Sequence, residues 1–512
     1  MPNNSKKQRS DASITQNSAT WKLGPNQIGA ANYGFLVVCI LAQAITILLT
    51  WPTWQFREAP VNLPWIASTP QFSCGILLIV TLVLALVSPR KWGVTIHLIV
   101  LGIAILMDQF RCQPQILSVT VMMVACVWPS VRSICVWFLV TMWIWAGVHK
   151  LISPDWTGFI ANWLFSKLSI NDRSLQIVLA TTIALSELGL GLVAWIRPKL
   201  AVIGCVGLHI GIVIFLLAIN WNASVLPWNL ATAIVGAWLL WTTNTLSPDS
   251  SESNATGVSS GQRLKLPAPT WGKLFVVVLF VVPAGTYFGA VRHCFAHVLY
   301  SGNLPIAVTT HHDGLELLDT WKTLHVPFPH EPKAYRDYFA LTASVGEKLH
   351  IHDPRSGVES QYYVCEPDRS IRAISESEFF QSRNGSSTGV ARDDPAAVFK
   401  LAVNKATMKK RSKKEMVFAV LFNPDHFKPE LLSVLHGLPN LEEIQLADCN
   451  LTDRDLRQLN GLNHLTGIGL SRTSISDAGL ANLQHVPKLQ TIEHEGSLIT
   501  SQFLEQFLSS RD

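Results

Sequence analysis

The sequence lacks a phosphate-cradling glycine loop, a nucleophile elbow and a CxxC pair. Nucleotide hydrolysis, serine hydrolysis and thiol oxidoreductase chemistry therefore have no positive support. A net charge of +5 with no basic face offers nucleic acid nothing to bind. His350-x-His352-Asp353 and His311-His312-Asp313 are clusters without a complete ligand set, so no metal is expected. A cleavable signal is also missing: about thirty polar residues precede the first apolar run, which reads as a signal anchor. No inverted repeat or pair of broken helices recommends a transporter.

What the chain has is apolar length. Hydrophobic runs fill roughly residues 31–291, and seventeen of the eighteen tryptophans precede residue 272, several near the ends of those runs where indoles favour the interface. Length and apolarity predict nine spans, at 32–51, 72–89, 92–108, 115–131, 133–149, 175–196, 200–220, 225–243 and 273–291. Trp128-Pro129 and Arg132 separate the fourth and fifth, which barely span. Inside connections would carry Lys6, Lys7, Arg9, Lys22, Arg90, Lys91, Arg132, Arg197, Lys199, Arg263, Lys265 and Lys273, against Arg57, Arg111, Lys150, Lys167 and Arg173 outside. Twelve against five predicts a cytoplasmic N-terminus and, after nine spans, an extracytoplasmic C-terminal third.

The expected fold is a mainly α polytopic helical bundle in the lipid bilayer, with a small β-containing soluble segment and an α/β leucine-rich-repeat solenoid. Its divisions are a polar cytoplasmic tail at 1–31, the transmembrane domain at 32–291, a β-containing segment at 292–375, a linker at 376–413 and repeats at 414–509. Pro305–Thr309, Lys348–His352 and Gln361–Cys365 read as strands. Leu246–Gly261, Asn384–Gly389 and the basic Lys405–Lys414 read as linkers. Cys39, Cys74, Cys126, Cys135 and Cys205 fall within spans as small core residues, and Cys112 lies in a short loop. Cys294, Cys365 and Cys449 lie in the soluble part, where an oxidising compartment would permit a Cys294–Cys365 disulfide.

A period of 24 residues runs through 414–509. Leu441, Ile444, Leu446, Leu451, Leu456 and Leu459 recur as Leu465, Ile468, Leu470, Ile475, Leu480 and Leu483, then as Leu489, Ile492, His494, Ile499, Leu504 and Phe507. Val417, Val420, Phe422, Phe427, Leu432 and Leu435 form a degenerate first copy. The pattern resembles leucine-rich repeats, a strand, a turn and a helix per unit. Its outward strand positions would bind a protein or peptide, or the short array would cap the preceding domain.

Ionisable residues in the hydrocarbon zone are costly unless they line a cavity, which singles out Asp108, Arg111, His149, Lys150, Glu187, Arg197 and His209. Lys150 ends an apolar span, where it either snorkels beside Asp155 and Trp156 or serves a site. Glu187 and Arg197 are ten residues apart, about 15 Å along a helix, so Glu187 is expected to meet a partner on another helix. A mid-span His209 is expected as a neutral imidazole bonded across helices, or as a ligand contact. His149 and Lys150 project about 100° apart and cannot face one cavity equally.

AGVHKLISPDWTG, residues 146–158, resembles the AGxxKL…DW segment of the horizontally transferred transmembrane domain, the family that includes vitamin K-dependent gamma-carboxylase. Glu187-Leu-Gly-Leu, Arg197 and His209 resemble that family's E…R…H run, and the likeness covers roughly residues 31–291. The resemblance implies a membrane-embedded enzyme that uses a quinol of the vitamin K type. It implies Lys150 as the base that deprotonates the hydroquinone on the extracytoplasmic side, followed by carboxylation of a carbon acid. The amine must be neutral for that work, which a low-dielectric cavity favours. Leucine-rich repeats depart from the carboxylase's own C-terminal arrangement. The alternative is a non-enzymatic membrane anchor whose repeats bind an extracytoplasmic partner.

Overall fold

The computed structural model describes residues 28–66, 70–88, 90–153, 155–243, 263–267, 269–297, 304–311, 314–353, 360–375, 378–379, 393, 395–404, 406–410 and 416–510. The segments 246–261 and 384–389, His312-Asp313 and all but the last residues of the N-terminal tail lie outside the described residues.

The membrane region runs α1 (Ala30–Leu49), α2 (Gly75–Val87), α3 (Lys91–Met107), α4 (Pro114–Val127), α5 (Arg132–Ile152), α6 (Ala161–Ser166), α7 (Arg173–Ile196), α8 (Pro198–Ala218), α9 (Ala223–Thr242) and α10 (Thr270–Val281). Among the described residues six helices are long and apolar enough to cross a bilayer: α1, α5, α7, α8, α9, and α10 with its continuation Val282–Phe288. Helices α2, α3 and α4 have 13, 17 and 14 residues. At 1.5 Å per residue they rise about 20, 26 and 21 Å, short of a hydrocarbon core of about 30 Å. Pro129 explains the break before α5: it removes a helical N–H and holds Trp128 extended, at φ −119° and ψ 91°. Pro283 likewise turns the last span into a 3-10 segment, which closes on Gly289 at φ +67°.

Two interactions organise the bundle. Helices α5 and α7 cross closely because Gly147 and Gly191 carry no side chain. A methyl group at Gly147 would sit 2.6 Å from the Ala184 carbonyl oxygen, and one at Gly191 would sit 2.9 Å from the Ile144 nitrogen. Small residues are what membrane helices need for such approach, because lipid supplies no hydrophobic drive for helix pairing.

The second interaction is a buried ionic knot at the α3–α4 corner. Asp108 accepts from Arg57 (2.6 Å), from Asn62 Nδ2 (2.9 Å) and from the backbone nitrogens of Leu63 (3.1 Å) and Phe110 (3.3 Å). Arg111 lies 3.8 Å from the same carboxylate and donates to the carbonyls of Thr53, Ala104 and Gln55. The knot fixes the α1–α2 connection against the corner. It also aims Leu63 and Phe110 into the core of the next unit.

That unit is an antiparallel sheet in the order β2-β1-β3-β4-β5, from β1 (Ile306–His311), β2 (Gly314–Leu317), β3 (Lys348–His352), β4 (Gln361–Cys365) and β5 (Ile371–Ile374). Helix α11 (Pro332–Thr342) packs Ala334, Tyr335 and Phe339 into the same core as Leu63 and Phe110. His350 is buried on β3, its ring stacked 4.3 Å from Tyr362, and burial pushes its pKa down to about 3, with His352 adding to the shift.

The final unit begins before residue 414. Helix α12 (Pro395–Val403) and β6 (Thr407–Lys410) lie within the segment expected as a linker, and Ala397 and Leu401 enter the core that the 24-residue period supplies. Strands β7 (Val417–Leu421), β8 (Glu443–Gln445), β9 (Gly467–Gly469) and β10 (Thr491–Glu493) are parallel and in register, with Ala419, Glu443, Gly467 and Thr491 aligned. β6 closes one edge antiparallel to β7. The Cys294–Cys365 disulfide that an oxidising compartment would permit is not formed: Cys365 is buried at the end of β4, its Sγ directed at the Ala343 carbonyl, whereas Cys294 Sγ lies 3.0 Å from Cys112 Sγ.

Removing the charge at the corner by Asp108→Asn should strand two buried guanidinium groups. Thermal melting in detergent should then show a loss of about 3 kcal/mol or more, and an unchanged midpoint would refute the structural role. The His350 pKa is lower folded than unfolded, so its contribution to stability is complete above its ordinary value and is lost as pH falls toward 3. Stability measured from pH 7 to pH 4 should therefore decline, and less steeply in His350→Phe.

Candidate functional site

The α5–α7 crossing places Lys150, on the last turn of α5, against Glu187 in the middle of α7. The ammonium lies 2.6 Å from Glu187 Oε2 and 5.3 Å from the ring centroid of Trp156. Both members of the pair are buried, at 5% and 8% exposure. They share the wall of a cavity of about 480 Å³ whose remaining surface is largely apolar, with Trp156, Phe165, Phe215, Trp221 and Trp228 among its aromatic residues. Asn229 and His297 add polar groups to the lining.

The other residues singled out by sequence occupy different places. His209 stands behind the cavity wall: Trp143 Nε1–H donates to its Nε2 (3.0 Å), so its Nδ1–H donates to Asn229 Oδ1 (2.8 Å). Asn229 in turn donates from Nδ2 to the Val225 carbonyl, which fixes the direction of its amide. The chain of donors holds the imidazole neutral and orients the amide. His149 points the other way from its neighbour Lys150. Its Nε2–H donates to the Ala296 carbonyl (2.7 Å), and the Tyr287 hydroxyl completes its bonding at Nδ1. It pins the strap 289–297 onto α5. Asp108 and Arg111 belong to the corner knot. Arg197 is exposed where α7 turns into α8 and lines no part of this cavity.

His297 was not legible as a site residue. It follows the last apolar run, holds φ +57°, and is carried into the wall by the strap that His149 fastens. Burial pushes its imidazole down to about 4, with His149 adding to the shift. Asn229 is a polar residue in an apolar helix, and its bond to His209 marks it. Neither has a local motif that could have found it.

Contacts from the repeat unit reach the segment that carries Trp156. His426 Nε2 lies 2.6 Å from Asp155 Oδ1, and Arg173 pairs with Asp425. Trp156 Nε1 also donates to the Ala180 carbonyl at 2.9 Å, tying the rim to α7. A second apolar groove, of about 540 Å³, runs between α4, α5 and α10 and shares Pro114, Ser118 and His297 with the cavity. Among the described residues no group of three or more His, Cys, Asp or Glu side chains is arranged to hold a metal ion.

The arrangement sets one buried ammonium–carboxylate pair, Lys150 with Glu187, and the oriented amide of Asn229 against a largely apolar space. A bulky side chain at the crossing should separate the two helices: Gly147→Leu is expected to break the Lys150–Glu187 contact. Cross-linking through a cysteine pair at those two positions should then fall at least several-fold against the same pair in the Gly147 background, and undiminished cross-linking would contradict the crossing geometry.

The chain matches no family model, no curated protein and no solved structure.

Proposed function

We propose that this is an integral membrane enzyme that binds a lipid-soluble quinol and uses the Lys150–Glu187 pair to take up its proton. The observation that carries this is a buried ammonium–carboxylate pair facing an apolar, aromatic-walled cavity that adjoins a lateral groove. We infer nine crossings, with α2, α3 and α4 completing theirs through the adjoining turns, a cytoplasmic N-terminus, and the cavity mouth and both sheets outside. The Lys/Arg distribution supports that orientation.

The residues suit the group. Flat aromatic walls receive a ring, the groove gives room for an isoprenoid tail, and Lys150, Glu187 and Asn229 supply a few convergent polar atoms. A bound quinol would supply an acidic O–H and the two electrons that reduce dioxygen. An ammonium cannot act as a base, so the Lys150 proton must first move. Transfer from Nζ to Glu187 turns two buried charges into an amine and a carboxylic acid, which a low-dielectric cavity tolerates far better than one unpaired charge. The freed Nζ lone pair then accepts the O–H proton. Trp156 and the rim contacts from Asp425 and His426 exclude water while this happens. Carboxylation of a carbon acid, implied by the family resemblance, would follow at the same face.

The parallel rungs with their 24-residue spacing support a leucine-rich-repeat assignment for 414–509. One face of the ladder, with Glu443, Gln445, Thr491 and Glu493, favours a second function, capture of an extracytoplasmic protein or peptide by a membrane anchor without catalysis.

Purified protein in lipid, given menaquinol or vitamin K hydroquinone under oxygen, separates the two. The wild type should consume quinol and form epoxide, and Lys150→Ala should fall by a factor of about 100 or more. Glu187→Gln should fall as well, because the proton loses its acceptor. Absence of turnover with either quinol in folded wild-type protein removes the enzyme and leaves the anchor.

A further inference from the structure

The strap 289–297 reaches the cavity wall by crossing the α3–α4 corner, and two cysteines meet at that crossing. Cys112 caps the turn Gln109–Arg111, and Cys294 lies in the turn His293–Phe295. Their sulfurs are 3.0 Å apart, although 182 positions separate them in sequence. A covalent S–S bond is about 2.05 Å, so closure requires about 1 Å of sulfur movement. Non-covalent contacts hold the two turns together beside them. Arg292 donates to Gln109 Oε1 (2.7 Å), pairs with Glu331 (3.2 Å) and stacks 3.8 Å over the Trp65 ring. Both sulfurs border an outer cavity of about 410 Å³.

We propose that Cys112 and Cys294 form a disulfide that staples the strap, and with it Ala296 and His297, to the membrane bundle. This rests on the proposed orientation, which puts the pair in the oxidising compartment. The oxidant is the disulfide of a thiol–disulfide oxidoreductase. One cysteine thiolate attacks that disulfide and forms a mixed disulfide, and the other cysteine displaces the enzyme's sulfur. One S–S bond forms in this protein and one breaks in the oxidoreductase. Two electrons pass to the oxidoreductase, and its two sulfurs leave as thiols carrying the two protons.

The staple is structural rather than a redox shuttle. The hydrogen bond from Cys112, with burial behind it, raises the Cys294 thiol well above its ordinary value, so the reduced pair holds little thiolate for rapid exchange. Its consequence is positional: it fixes Ala296, the carbonyl that His149 grips, and His297, which lines both the Lys150 cavity and the lateral groove.

The protein is isolated without reductant after acid trapping and denaturing alkylation with N-ethylmaleimide, then digested for mass spectrometry. The expected species joins the Cys112 and Cys294 peptides and is two hydrogens lighter than the pair of thiols, with the other seven of nine cysteines alkylated. Alkylation of both Cys112 and Cys294, or a linked Cys294–Cys365 peptide, overturns the proposal. Reductant should lower the thermal midpoint of the wild type by several degrees and leave Cys112→Ala and Cys294→Ala unmoved; an equal shift in all three also overturns it. Lys333→Cys reports the orientation separately. Labelling of that cysteine by an impermeant maleimide in intact cells, alongside free Cys112 and Cys294, rejects the disulfide while leaving the topology standing.

Discussion

The close crossing of α5 and α7 is the constraint on which the site depends. Two glycines, Gly147 and Gly191, let the helix backbones approach until side chains three and four residues away meet across the gap. Lys150 and Glu187 are those side chains. Either charge alone in a hydrocarbon setting would be prohibitive. Together they form a neutral unit that can remain buried and pass a proton within itself. The backbone contact therefore does electrostatic work, since it sets the distance at which two costly charges become tolerable.

Other polar groups of the membrane region serve three jobs. Asp108 and Arg111 join three chain segments at one corner and send Leu63 and Phe110 into the core under the antiparallel sheet. His209 and Asn229 back the cavity wall through a fixed sequence of donors and acceptors. His149 fastens the strap that brings His297 into the lining. Adjacent residues on α5 thus act in opposite directions, His149 toward the strap and Lys150 toward the cavity. The geometry of a helix requires as much, because neighbours diverge by about 100°.

The rim joins the bundle to the parallel sheet. Asp155 and Arg173, which flank the segment over the cavity, meet His426 and Asp425 from the first turn after β7. The Lys150 cavity and the repeat unit are therefore adjacent, although residues 155 and 426 are far apart in sequence.

By itself the sequence determined what local chemistry can specify. Apolar runs identified the bundle, the 24-residue period identified the parallel rungs, and Lys150 stood out because an ion at that depth is expensive. Resemblance added a chemistry for it. Sequence overestimated two helices, because apolarity extends through turns while α2 stops at Val87 and Pro129 ends the hydrogen-bond ladder of α4 at Val127. It left 376–413 as a linker because the turns of α12 are hidden among polar residues, yet Ala397 and Leu401 complete the neighbouring core. Only the tertiary structure decided who meets whom: Glu187 with Lys150, Cys112 with Cys294, Asn229 with His209, and His297 with the cavity. Those pairings join residues from 20 to 182 positions apart, and periodicity reports which face a residue occupies but carries no record of what packs against that face.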